Sequence, residues 1–140
     1  MAKRGGSPAT RVVTVLDASA LLALFNDEPG AQMVLDALAE DCLVSAVNQT
    51  EVLTKLLDKG LTEAEAILVM DAVEIEVVAF DASQSLDAAW LRLQTRTVGL
   101  SLGDRACLAL ARSRTAVALT ADRPWSQVAD VVGVTVRCIR

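Results

Sequence analysis

Two spacings of apolar residues take turns along this chain. Near-continuous apolar runs at residues 12–16, 43–46, 116–120 and 135–139 predict strands covered on both faces, and residues 74–80 a strand that begins by alternating. Between them the apolar positions recur at helical spacing. Helices are expected over residues 18–25, from Pro29 to about Glu40, over 48–59 with Gly60 closing, and from the Thr62–Glu65 capping pair to about Val73. Three more follow, over 82–97, over 104–114 and briefly from Trp125; the first carries a stripe of Leu86, Ala89, Trp90 and Leu93. Strands and helices alternate without a repeat or linker. This predicts a single α/β domain over residues 12–140, built on a mainly parallel sheet of about five strands. Residues 1–11, rich in Gly, Ser and Pro, are expected to form a disordered lead.

Composition changes this picture in one respect. Hydrophobic residues make up 53% of the chain, yet no uncharged apolar run reaches the 18 or so residues of a membrane span. The best stretch, residues 12–25, is interrupted by Asp17 and precedes no small-residue cleavage site, so neither a membrane helix nor a signal peptide is expected. The surplus apolar surface is expected at an oligomer or partner interface. Cys42, Cys107 and Cys138 are far apart and form no CxxC, as expected of small buried hydrophobes in a reducing cytoplasm.

Histidine and tyrosine are both absent. Ser-His-Asp and Cys-His nucleophiles, histidine zinc sites and histidine-pair RNA cleavage are therefore excluded. Charge is uneven within the net of −5: residues 1–91 hold 5 Lys/Arg against 15 Asp/Glu, whereas residues 92–140 hold 8 Arg against 3 Asp. Such asymmetry fits a local nucleic-acid contact and equally a solvated arginine-rich helix surface.

Chemistry is left mainly to carboxylates, hydroxyls, Lys/Arg or a metal that they bind. Ligands of open parallel sheets gather beyond the carboxyl ends of the strands, near a switch in strand order. Asp17 follows the first strand, Asp122 lies two residues past the strand ending at Thr120, and Glu51 lies early in the helix after residues 43–46. Asp104 joins them if its helix runs antiparallel to the following strand. Each has a plainer role open to it. Asp17 could cap a helix, Glu51 and Asp104 could complete capping boxes with Asn48 and Ser101, and Asp122 could serve a turn before Pro124. Four acids together would repel without a counter-ion, and oxygen-only ligands select Mg²⁺ or Mn²⁺. Such an ion activates water and steadies an in-line phosphoryl displacement. Ser19 and Thr120 bring hydroxyls close by. Arg92, Arg96, Arg105, Arg112 and Arg123 are candidates for phosphate contacts.

Four blocks carry a family resemblance: Val15–Leu24 with Asp27-Glu-Pro-Gly30, Ser45–Leu53, Gly99–Ala111 and Leu119–Trp125. In this order they resemble PIN-domain toxins of the VapC type, from about Val12 onward. The resemblance implies a three-layer α/β/α sandwich and a Mg²⁺- or Mn²⁺-dependent endoribonuclease. It places the metal-site role on Asp17, Glu51, Asp104 and Asp122, with support from Ser19, Asn48 and Thr120. It also implies a homodimer and a cognate VapB antitoxin. A silent PIN-fold binding module would be favoured by loss of an acid, and none is missing. A receiver-type phosphoacceptor needs adjacent acids after its first strand and a late lysine, while a haloacid-dehalogenase-type phosphotransferase needs Asp-x-Asp; this sequence has neither arrangement.

Overall fold

The computed structural model describes residues 12–140; the lead expected over residues 1–11 lies outside them. Five strands, β1 (Val13–Leu16), β2 (Asp41–Ser45), β3 (Glu76–Val78), β4 (Val117–Thr120) and β5 (Thr135–Cys138), form one sheet. Its order is β3-β2-β1-β4-β5 and every pairing is parallel. The chain grows outward from β1 to β3 and then returns to the other side of β1. The switch in strand order therefore falls between β1 and β4, whose carboxyl ends carry Asp17 and Asp122.

Seven helices cover the two faces: α1 (Ala18–Phe25), α2 (Ala31–Leu38), α3 (Ala46–Asp58), α4 (Glu63–Asp71), α5 (Ala82–Thr95), α6 (Leu102–Arg114) and α7 (Ala129–Val132), with a 3₁₀ turn at Arg123–Gln127. Alternation along the strands divides the core. Val15, Leu43 and Ala118 face one apolar layer with α5, α6 and the fully buried Trp125. Leu16, Val44 and Leu119 face the other, with α1 to α4. This is the α/β/α sandwich expected.

Local differences have local causes. Asp41 pairs with Val13 at the rim, so β2 starts two residues earlier than its apolar run. β3 pairs only with β2 and is three residues long, a short edge strand that limits sheet-to-sheet association. Ser45 ends β2 and also caps α3, its hydroxyl accepting from the Val47 N–H; Asn48 is therefore inside the helix rather than its cap. Gly30, at φ +98°, opens α2 in a conformation that suits glycine. The stripe of Leu86, Trp90 and Leu93 on α5 is 54–69% exposed, and the helix packs through Ala88, Leu91 and Thr95 instead. Helical spacing fixes a stripe but not the side it faces. Among the described residues no helix is long and apolar enough to cross a membrane.

Candidate active site

Asp17 leaves β1 in extended conformation and caps α1, accepting the Ala20 N–H at 2.8 Å. Its plainer role is thus real, but it uses only part of the carboxylate. Ser19 Oγ lies 2.8 Å from both Asp17 oxygens, and Thr120 Oγ1 donates to Oδ2 at 2.7 Å. The hydroxyls are themselves held: Ser19 Oγ accepts the Ala121 N–H at 2.9 Å, and Thr120 Oγ1 accepts the Asp122 N–H at 3.0 Å. Each donated proton is matched by an accepted one. The carboxylate of Asp17 is consequently locked between β1 and β4.

Asp104 sits in the first turn of α6 and completes a reciprocal capping box. Its N–H donates to Ser101 Oγ at 3.2 Å, and its Oδ2 accepts the Ser101 N–H at 2.9 Å. Asp122, at the end of β4, is exposed and caps nothing with its side chain. Three elements thus deliver Asp17, Asp104 and Asp122 so that one carboxylate oxygen from each lies within 4.8 Å of the others. Among the described residues none of the three forms an ion pair with Lys or Arg.

The cost of burying these carboxylates appears in their pKa values. Burial pushes the Asp17 carboxyl from 3.8 up to about 7, against the opposing hydrogen bonds of Thr120, Ala20 and Ser19 and with help from the Asp122 charge. Burial also raises Asp104, with the nearby Asp122 charge adding and the Ser101 hydrogen bonds and Arg105 opposing. The Cys107 thiol, buried beneath the acids, is held protonated by burial and by Asp17, Asp104 and Glu51. A site that resists its own charge and offers only oxygen atoms fits a hard divalent cation.

Glu51 is not one of this group. Its Oε1 accepts from Asn48 Nδ2 at 2.8 Å, and the same Nδ2 donates to the Gly103 carbonyl at 3.0 Å. Burial raises its pKa, Asn48 opposes the rise and Asp104 adds to it. Glu51 and Asp104 are therefore electrostatic neighbours across the α3–α6 seam. Gly103, buried beside Glu51, was not expected in the site; its one signal in sequence is a glycine in the first turn of a helix.

The arginines separate. Arg105 Nη1 donates to the Ala88 carbonyl at 2.8 Å, tying α6 to α5, and its Nε is buried without a partner. Arg92 reaches the Leu100 carbonyl at 3.5 Å, and Arg96 is exposed after α5. Arg123 Nε donates to the Arg140 carbonyl at 3.0 Å. Arg112 lies eight residues beyond Asp104 on α6, about 12 Å along the helix, and is not brought to the acids. Arg140, unanticipated, pairs with Glu28 at 3.1 Å and places its carbonyl on Arg123.

The sequence model of one family, the PIN domain, matches residues 14–131. None of the curated protein sequences compared with the chain matches it. Several solved structures share its fold. DNA-bound VapBC from Salmonella typhimurium matches with a TM-score of 0.70 at 16% identity, covering 92% of this chain and 99% of its own. A toxin–antitoxin complex from Klebsiella pneumoniae matches at 0.72 and 16%, covering 91% and 98%. VapC20 of Mycobacterium tuberculosis, a sarcin-ricin-loop-cleaving toxin, matches at 0.64 and 16%, covering 81% and 93%.

Proposed function

The chain belongs to the PIN domain family, and from that membership we propose that it is a metal-dependent endoribonuclease acting as the toxin of a toxin–antitoxin pair. The observation that carries this is the convergence of Asp17, Asp104 and Asp122 at the switch between β1 and β4. Asp17, Asp104 and Asp122 would hold Mg²⁺ or Mn²⁺. Such a cation supplies Lewis-acid polarisation of a phosphoryl oxygen and a more acidic water. Ser19 and Thr120 keep the Asp17 oxygens aimed, as outer residues do for ligating carboxylates. Glu51, with Oε1 engaged by Asn48, presents its other oxygen to orient the attacking water and take its proton. Arg123, at the open edge beside Asp122, meets the substrate phosphate, and Arg92, Arg96 and Arg105 extend that contact toward α5.

RNA as the substrate class is supported by the likeness to VapC20, described as a sarcin-ricin-loop-cleaving toxin. A VapB-type antitoxin and a second copy of the chain are the proposed partners. The toxin–antitoxin complexes among the structural matches support the first, and the outward Leu86, Trp90 and Leu93 give an interface the apolar surface it needs. The deciding experiment maps new RNA 5′ ends after brief induction of the chain, beside Asp17→Asn. Fresh ends with the parent alone support the proposal. Equal cleavage by Asp17→Asn, or full activity in excess EDTA, overturns it.

A further inference from the structure

Gly103 is the second residue of α6, buried, and not in the left-handed region where glycine is required by its backbone. What requires glycine there is space. A Cβ built on it would lie 2.6 Å from Glu51 Cδ and Oε2, and closer still to Oε1. Asn48 closes the other side, its Nδ2 bridging Glu51 Oε1 and the Gly103 carbonyl. Both partners are acceptors, so the amide can be oriented only one way, and Asn48 Oδ1 is left buried without a partner. A helical glycine and an unpaired buried oxygen each weaken the fold relative to alanine. Packing alone favours neither, and both meet on one carboxylate.

We propose that Asn48 and Gly103 are positioning residues that form a seat for Glu51, fixing its carboxylate against the first turn of α6 beside Asp104. Asn48 holds Oε1; Oε2 accepts no hydrogen bond among the described residues and is the oxygen left for the reaction. The catalytic consequence rests on the nuclease proposal above, whereas the seat itself does not. Because the atoms nearest the added Cβ are the far end of a flexible side chain, Gly103→Ala displaces Glu51 rather than α6.

The test uses the full chain carrying Gly103→Ala, Asn48→Ala, Glu51→Ala and the two doubles with Glu51→Ala. Gly103→Ala is expected to melt at or above the parent temperature. In the same variant the Asn48 side-chain amide, slow to exchange with solvent in the parent, becomes fast. For RNA cleavage, kcat falls on the order of 10–100-fold with KM unchanged. In the Glu51→Ala background neither Gly103→Ala nor Asn48→Ala lowers kcat further, since both act through the residue already removed. Unchanged amide protection in Gly103→Ala overturns the seat. So does a parental kcat, or a loss that repeats in full without Glu51. A parent that cleaves no RNA overturns the nuclease proposal instead, and the amide exchange then still decides the seat.

Discussion

Thr120 Oγ1 donates a 2.7 Å hydrogen bond to Asp17 Oδ2, joining residues 103 positions apart at the ends of neighbouring strands. The same hydroxyl accepts the Asp122 N–H. One oxygen atom thereby sets the distance between two acids of the cluster.

Removing that oxygen tests its role. Thr120→Val keeps the shape of a buried strand-end residue but leaves Asp17 with one fewer donor and the Asp122 N–H unpaired. Affinity for Mn²⁺, measured by titration calorimetry, and RNA cleavage should each fall about 10–100-fold, the usual cost of losing an outer-shell partner. Unchanged Mn²⁺ affinity would show that Asp17 needs no such support.

The pH dependence of stability follows from Asp17. Its folded-state pKa, about 7, exceeds the ordinary 3.8, so between these values the folded chain holds a proton that the unfolded chain has lost. Stability of the metal-free protein therefore falls as pH rises through this window, with the loss complete above about 7. Across the whole window the loss is on the order of 4 kcal/mol. Urea unfolding in EDTA should show Asp17→Asn more stable than the parent at pH 8, with the gap closing near pH 4. Adding Mg²⁺ or Mn²⁺ should restore the parent by mass action. A parent and variant with parallel pH profiles would contradict this.

Two capping boxes separate stability from chemistry. Ser101 and Asp104 close α6 at the acids, while Thr62 and Glu65 close α4 away from them. Ser101→Ala and Thr62→Ala should each cost about 1 kcal/mol. Only Ser101→Ala should also slow RNA cleavage, because only there does the frayed turn carry a proposed ligand. Equal activity in the two variants would detach the cap from the site.

Gly30 packs against the chain just past β5, at the same carboxyl edge of the sheet as the acids. At φ +98°, an added Cβ would stand 2.6 Å from the Ile139 carbonyl oxygen and 2.7–2.8 Å from its side chain. Ile139 in turn donates its N–H to Thr120 O at 2.9 Å. Gly30→Ala should lower the melting temperature by several degrees, since the backbone conformation and the contact both oppose it. A melting temperature at the parent value would show that Ile139 can move aside.

Much of this was legible because parallel sheets tie chemistry to strand ends. Near-continuous apolar runs revealed the strands, and the acid just past a run then had to lie at the carboxyl edge. Asp17 and Asp122 needed nothing more. Asp104 needed the direction of α6, and the Ser101 box fixed its position in the first turn. Asn48 was harder to place, since Ser45 ends a strand and caps a helix with no loop between, moving the helix start upstream. Gly103 could not be read at all without knowing that Glu51, far away in the chain, presses on it. Nor could the spacing of Leu86, Trp90 and Leu93 reveal that they face outward.

The order of strands has a consequence for the chain while it is being made. β1 is made before β4, and its acid gains Thr120 and Asp122 only after β4 has been synthesised and has paired beside it. Until then Asp17 has no second carboxylate from β4 to share a cation with. A chain that stops before residue 117 therefore lacks both the Thr120 hydroxyl and the Asp122 carboxylate, and its acid cluster is incomplete.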